Sequence, residues 1–415
     1  MKFTIRPTRG NGVSAFCALT LLLSTVLGSA GALAKGADAE RADQVIVRLR
    51  DAADLPAIAS EYRLDPLPLD RLPLAPLYLM HIADGADPDA RAAALAADGR
   101  VAYAEPNFVG AVAEDSGDSS WASGDSSWAS GFTEANYLGQ WAPQKLRLAT
   151  AFTATRGAGV TVAVLDTGLD ATHPSLASHL VSGYDFVDND ADPSEVGAAG
   201  PGRAYGHGTF IAGLVLLAAP EARILPVRVL DQDGVGDVWR LAKGLVWAAD
   251  PDGNPATRDG ADVINMSLGT VTHTHLTNDL VSGLAFGGRG IVMVAAAGNF
   301  GSRTPMFPAA EGGSRVLSVG ASTPLDTLAS FSNSGSWVRV QAPGVSLLSS
   351  VPGGGFGAAS GTSMASALAA GEAALVRAAN PALKAQDVIQ RIANSAVKLP
   401  GGVPPRVDAA AALGR

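Results

Sequence analysis

The sequence predicts an α/β protein: a three-layer domain with a mostly parallel central sheet, preceded by a small α+β domain. Three observations lead there. From Tyr137 onward, strand-like runs alternate with helical ones. The strand-like runs are almost continuously apolar, as strands covered on both faces must be. Ahead of them, a separate segment shows the two-residue alternation of half-buried strands together with a well-marked helix, and a polar repeat sets it apart. At about 100–200 residues per domain, 415 residues accommodate two or three units. A chain that is 47% hydrophobic and 17% charged lies far from the composition of disordered proteins.

The first element is an address. Lys2, Arg6 and Arg9 precede an apolar run, 13–27, that gives way to small residues ending in Ala32-Leu33-Ala34. This reads as a secretory signal peptide over 1–34, because about 15 apolar residues fall short of the roughly 20 that span hydrocarbon. Export would remove the lone cysteine, Cys17, and change the net charge from 30 − 39 = −9 to 27 − 39 = −12. So acidic a chain repels phosphate backbones, which argues against a nucleic-acid partner. A single cysteine excludes a disulfide scaffold and cysteine-rich metal centres. After cleavage the exported chain is expected to be a monomer with no membrane association.

The second unit is assigned to 35–112. Val45, Val47 and Leu49 alternate as in a strand, and Leu77-Tyr78-Leu79-Met80 forms another. A helix should begin with Asp87 as cap and Pro88 at its first position and stop at Gly99. A further strand over 101–105 is expected to end at Pro106. About 65 residues support only a marginal core. Residues 113–136 read as a flexible linker containing GDSSWAS twice, at 117–123 and 124–130, though Trp121 and Trp128, seldom needed in a plain spacer, leave open a docking or protease-cut segment. The large domain occupies 137–415, with strands expected at 160–165, 222–229, 261–266 and 291–297 and helices after His207, over 238–249 and 276–286, and from Ser363 to about Asn380.

Three segments place a reactive side chain where a strand ends or a helix begins. Asp166 follows an apolar strand, His207 opens an apolar helix in Gly206-His207-Gly208-Thr209, and Ser363 opens another in SGTSMAS. Serine becomes a nucleophile when a histidine takes its proton, and the histidine needs a carboxylate to hold its tautomer. The Ser363 amide at a helix start could stabilise an oxyanion, and Asn299, just past a strand, is the candidate second donor. The histidines are 81, 173, 179, 207, 273 and 275, and none follows Ser363, which excludes the chain order serine, acid, histidine. The order Asp166, His207, Ser363 remains.

At these residues the chain resembles the subtilisin-like serine proteases. The resemblance is carried by VAVLDTGLD, GHGT, LPVRVLDQDGVG, ADVINMSLG, AAAGN, FSNSGSWVRVQAPG and SGTSMAS, in that order over about residues 141–395. It implies Asp166 as triad acid, His207 as general base, Ser363 as nucleophile and Asn299 as oxyanion donor. It further implies a specificity pocket walled by Ser267, Leu268 and Gly269 and by Ala295, Ala296, Ala297 and Gly298. Gly234, Val235 and Gly236 would run along the substrate backbone as a strand partner. The 35–112 domain would be an inhibitor-type propeptide that occupies the cleft until the enzyme cuts it off, between about 110 and 136. Phe210 and Ala367-Leu368 depart from the family pattern of a second histidine and of Pro-His, which affects local helix packing. No acidic residue lies in the pocket walls, so apolar or bulky side chains are the expected preference.

The function that follows is a secreted serine endopeptidase acting on protein or peptide substrates through an acyl-enzyme, made as a self-processing precursor with its propeptide as intramolecular inhibitor. Its chemistry needs no cofactor. The competing reading is a non-catalytic binding protein on the same scaffold, and the presence of all four chemical residues favours the enzyme. The acidic loop with Asp185, Asp188, Asp190 and Asp192 either binds structural calcium through oxygen ligands or carries solvated charge. The same choice applies to Asp250, Asp252 and Asn254. His273 and His275 are expected to be surface residues, and His173 and His179 structural.

Overall fold

The computed structural model describes residues 39–112, 131–198, 204–254, 256–287, 290–311 and 315–415; the apolar leader and the GDSSWAS repeat lie outside them. The small domain contains β1 (Glu40–Leu49), α1 (Leu55–Glu61), β2 (Asp70–Leu72), β3 (Leu77–His81), α2 (Pro88–Ala96) and β4 (Val101–Val112). Its strands form an antiparallel sheet in the order β4-β1-β3-β2. The alternation in the sequence sorts the two faces. Val45, Val47, Leu49 and Met80 pack with Ile58, Ala92 and Leu95 of the two helices in a core of its own. Ile46, Leu72, Leu77 and Leu79 point the other way and join the core of the large domain. Half of this sheet's apolar surface is therefore buried only by docking, the physical form of the marginal core expected from its size.

Two sequence expectations need correction here. Asp87 caps α2 as expected, its carboxylate accepting from Ala90 N at 2.9 Å, but the helix ends at Ala96 and Gly99 lies beyond it. The chain turns earlier, with Asp98 N donating to Leu95 O and Val101 N to Asp98 O, so the left-handed residue a glycine would supply is not needed. The following strand does not stop at Pro106. It continues to Val112, and Pro106 sits opposite Val45 where the β1–β4 register shifts. A residue without an N–H is tolerated at such an irregularity.

The large domain opens with three short helices, α3 (Glu134–Gly139), α4 (Trp141–Lys145) and α5 (Leu148–Ala151). Then follow β5 (Thr161–Asp166), β6 (Tyr184–Asp185), α6 (His207–Ala218), β7 (Arg223–Arg228), β8 (Val235–Asp237) and α7 (Val238–Ala249). Next come β9 (Val263–Met266), β10 (Leu268–Gly269), α8 (His275–Phe286), β11 (Val292–Ala296), β12 (Val316–Ser322) and β13 (Val340–Pro343). A hairpin of β14 (Leu347–Val351) and β15 (Gly355–Ala359) precedes α9 (Thr362–Ala379), α10 (Ala385–Ser395) and α11 (Ala409–Ala412).

Seven strands form a parallel sheet in the order β13-β12-β11-β9-β5-β7-β6. Val162, Val164, Val263, Val294 and Val319 face α6 and α9 on one side, and Ala163, Leu165, Ile264, Met266 and Ala295 face α7 and α8 on the other. This is the three-layer arrangement predicted from continuous apolar strands. All twelve residues of α6 are buried, and Phe210, Ala367 and Leu368 fill the α6–α9 core with apolar surface, Phe210 and Leu368 standing where the family pattern carries histidines. From β5 the chain runs first to β7 and β6 on one side and then to β9 and beyond on the other. The carboxyl end of β5 is therefore a topological switch point, where sheets of this kind hold their ligands. No described helix is long and apolar enough to cross a membrane.

Candidate active site

Asp166 is the last residue of β5. Its Oδ1 accepts from Thr167 N at 2.8 Å and lies 2.6 Å from His207 Nδ1, with both side chains buried. An ionised carboxylate only accepts, so Nδ1 of the neutral imidazole carries the proton and the basic lone pair lies on Nε2. The two glycines flanking the histidine have separate causes. Gly206 has φ +89°, in the left-handed region. At Gly208 a Cβ would stand 1.9 Å from Gly168 O, so the start of α6 can press onto the Asp166 turn only without a side chain.

Ser363 occupies the first turn of α9, at 0% exposure. Its hydroxyl donates to Ser267 O at 3.4 Å, and Ser267 Oγ in turn donates to Ser363 O at 3.2 Å and meets Ser366 Oγ at 3.1 Å. Asn299 is held from the same helix start. Its Oδ1 accepts from Thr362 N at 2.8 Å, which fixes the orientation of the amide, while its buried Nδ2 has no partner. A buried donor without an acceptor is costly, and here it lies beside the start of α9. Asn333, within FSNSGSW, supports this loop. Its amide donates to Ala297 O and accepts from Phe300 N and Ser302 N.

The carboxyl-terminal half of β4 lies in a cleft between β8 and β10. Gly110 pairs with Gly236 and Ala111 with Val235 on one side, while Ala111 pairs with Gly269 and Val112 with Leu268 on the other. Val112 N also donates to Gly234 O at 2.9 Å. The structure thus brings residues 234–236 and 267–269 together as the two walls of one cleft. Ala295, Ala296 and Ala297 stay buried around the end of β11 and do not pair with β4. Beneath Gly110 is a small, largely apolar pocket bounded by Leu230, Val238, Leu241, Leu268, Thr277 and Phe307.

Polar contacts hold the small domain on the large one. Glu105 accepts from His275 N at 2.7 Å and Leu276 N at 2.9 Å at the start of α8, where the helix dipole favours an anion. Burial pushes this carboxyl up, opposed by those two N–H groups. Arg41 pairs with Asp237, Lys243 with Asp70 at 2.8 Å, Arg48 with Asp279, and Asn107 Oδ1 accepts from Trp239 N at 3.1 Å. Sequence reasoning missed Glu105, because nothing local distinguishes it from any exposed strand glutamate.

The metal candidates fare differently from expectation. Among the described residues, Asp188, Asp190 and Asp192 are not gathered around a common point. Arg228 Nη1 bonds both Asp185 and Asp188, Asp190 accepts from Asp192 N, and Asp192 accepts from Ser194 N and Oγ. Asp250, Asp252 and Asp259, not Asn254, bring carboxylate oxygens within 4.8 Å of one another. His273 and His275 pack ring to ring, His273 lies 3.5 Å from Glu311, and His275 stacks on Tyr103. His173 and His179 are spent on backbone carbonyls, of Gly355 and Ala222.

The subtilase family model matches residues 157–411, and the fervidolysin N-terminal prodomain model matches residues 32–107. The chain is 38% identical over 313 residues to the thermophilic serine proteinase of Bacillus sp. strain AK1, covering 72% of this chain and 69% of that one. It is 37% identical over 273 residues to thermitase of Thermoactinomyces vulgaris, covering 63% and 90%. Among solved structures, a protease from Pseudoalteromonas arctica superposes with a TM-score of 0.60 at 30% identity, over 67% of this chain and 97% of that one. Fervidolysin from Fervidobacterium pennivorans, a keratinolytic enzyme related to subtilisin, superposes with a TM-score of 0.70 over 91% of this chain and 61% of its own. At 22% identity, that likeness speaks for the fold.

Proposed function

The chain belongs to the subtilase family and is a serine endopeptidase with a prodomain, and on that premise we propose that it is an exported precursor that cuts itself free, with Asp166, His207, Ser363 and Asn299 as its reacting groups. What carries this reading is the buried Asp166–His207 pair at the carboxyl end of β5, together with a serine at a helix start and an unpartnered amide beside it.

The reaction begins when the Ser363 hydroxyl turns from the Ser267 carbonyl to His207 Nε2. As Oγ attacks the scissile carbonyl carbon, its proton passes to Nε2, and Asp166 stabilises the resulting imidazolium. The tetrahedral oxyanion is held by Asn299 Nδ2 and the Ser363 N–H. Collapse breaks the C–N bond, and the leaving amine takes the proton from His207. Water repeats the sequence on the acyl-enzyme, releasing the acid and restoring the serine. His207 must be neutral to act, so activity falls as pH drops and the imidazole takes up a proton.

The division into leader (1–34), propeptide (35–112), linker (113–136) and catalytic domain (137–415) belongs to this proposal. β4 lies in the cleft as a substrate would, and Val112 pairs with Leu268, the residue after Ser267. The first cut therefore falls just beyond Val112. The pocket beneath Gly110 favours an apolar side chain at that position of a substrate, since its walls are apolar. Hydrolysis itself draws on no metal. For structural calcium, Asp250, Asp252 and Asp259 offer the better oxygen set, because Arg228 already neutralises Asp185 and Asp188. The test is to express the full chain and its Ser363→Ala variant and follow self-cleavage and fluorophosphonate labelling. The unsubstituted chain should mature and take the label and the variant do neither; a parent chain that does neither refutes the proposal.

A further inference from the structure

Among the carboxyls that the reaction scheme leaves unused, the half-buried Glu195 stands nearest the chemistry. It is reached from both elements that build the Asp166–His207 pair. Thr167, which follows Asp166, places its hydroxyl 3.3 and 3.2 Å from the two Glu195 oxygens. Thr209, two residues after His207, donates from its N–H at 3.2 Å and its hydroxyl at 3.1 Å, both to Oε1. The Gly206 N–H, on the other side of His207, also bonds this carboxylate. The two threonine hydroxyls are consistent as donors to it, because each already accepts a backbone N–H: Thr167 Oγ1 from Gly208 at 3.0 Å and Thr209 Oγ1 from Asp170 at 2.9 Å. Four donors thus converge on one side chain. Convergent donors suit an anion better than a carboxylic acid, which would bring a donor of its own. That anion lies at the amino end of α6, where the dipole favours negative charge.

We propose that Glu195 is a positioning residue of the reaction: its carboxylate ties the turn carrying Asp166 to the helix start carrying His207, and its negative charge favours the imidazolium that forms there. The proposal rests on the serine-protease reading above. The titratable groups around Glu195 among the described residues are Asp166 at the end of β5, Tyr205 ahead of α6, His207 between the residues Glu195 holds, and Asp170 beyond Thr209. Burial pushes the Glu195 carboxyl up to about 7, against the pull of the Gly206 and Thr209 bonds, with Asp166 adding to the rise. The positive charge that forms on His207 opposes that rise, so the carboxylate is ionised when the imidazolium is present.

Glu195→Gln keeps the shape and removes the charge; Glu195→Asp keeps the charge and shortens the reach. In Glu195→Gln we expect kcat to fall about ten- to a hundredfold with KM nearly unchanged, the scale of lost bonds to a charged group. The His207 titration midpoint, followed by NMR in the full chain carrying Ser363→Ala, should move to lower pH by about half a unit or more, because the imidazolium loses a neighbouring anion. Glu195→Asp should restore most of the midpoint and only part of kcat. A purely structural role would not move the midpoint, so an unshifted His207 in Glu195→Gln overturns the proposal whatever the rate. The NMR arm needs no turnover. Failure of the parent chain to hydrolyse peptides would therefore refute the protease reading and leave this test standing.

Discussion

Glu372 lies on α9 nine residues after Ser363, fully buried, and both of its carboxylate oxygens are without a hydrogen-bond partner. Burial pushes its pKa up to about 8, with Asp408 adding to the rise and Arg406 opposing it. The ordinary value is 4.5, so between these two pH values the folded chain holds a proton that the unfolded chain releases. The contribution of Glu372 to stability is accordingly greatest below pH 4.5, falls as pH rises through the window, and levels off above 8. At about 1.4 kcal/mol per unit, the 2.5 units from 4.5 to 7 cost about 3 kcal/mol, and the full 3.5 units about 5 kcal/mol. Glu372→Leu removes both the titration and the unpartnered oxygens, while Glu372→Gln removes the titration alone. In a Ser363→Ala background that prevents autolysis, calorimetry at pH 5, 6, 7 and 8 should show Tm of the Leu variant rising above the parent by a growing margin. About 3 kcal/mol at pH 7 corresponds to roughly 6–12 °C for a domain of this size. The Gln variant should share the change in slope with a smaller absolute gain. A Leu-minus-parent difference that stays constant from pH 5 to 8 would refute the assignment of a neutral buried carboxyl.

Asn299→Ala should leave folding and fluorophosphonate-accessible Ser363 intact while lowering kcat about 100- to 1,000-fold, a magnitude carried over from subtilisins; a loss below about threefold would remove Asn299 from the oxyanion site. Gly110→Leu should fill the pocket beneath β4 and hold the prodomain more tightly. Burying one leucine side chain contributes about 2 kcal/mol, or roughly 30-fold, read as residual inhibition of peptide hydrolysis after maturation. Glu105→Gln takes the charge from the start of α8 and should speed prodomain release by about tenfold, visible as a shorter lag before activity appears; an unchanged lag would mean that the Glu105 contacts add nothing to docking.

Much of this architecture is legible in the chain because its signals are local. Apolar continuity in 160–165 and 291–297 marks strands covered on both faces, and the two-residue alternation of Val45, Val47 and Leu49 separates the two faces of the prodomain sheet. Helix starts at His207 and Ser363 can be read from a glycine-bounded polar residue followed by apolar sequence. The errors are local too. Gly99 resembles a helix stop and Pro106 a strand stop, yet the bonds Asp98 N to Leu95 O and Val101 N to Asp98 O turn the chain earlier, and a shifted β1–β4 register carries the strand past Pro106. The acidic loop resembles a calcium site in composition, but Arg228, 40 residues from Asp188 and 43 from Asp185, takes both carboxylates.

By itself, then, the sequence determined the layer order, the chemical identities of Asp166, His207, Ser363 and Asn299, and the family whose motifs they occupy, since side-chain chemistry and periodicity are properties of short stretches. Only the tertiary structure decided which polar atoms meet. It set Asp166 against His207 across 41 residues of chain, seated β4 between β8 and β10 in a defined register, and converged four donors on Glu195. It also closed Glu372 away from any partner. The physical reason is that a buried polar group is satisfied or stranded by neighbours far along the chain, and packing, not local pattern, chooses those neighbours.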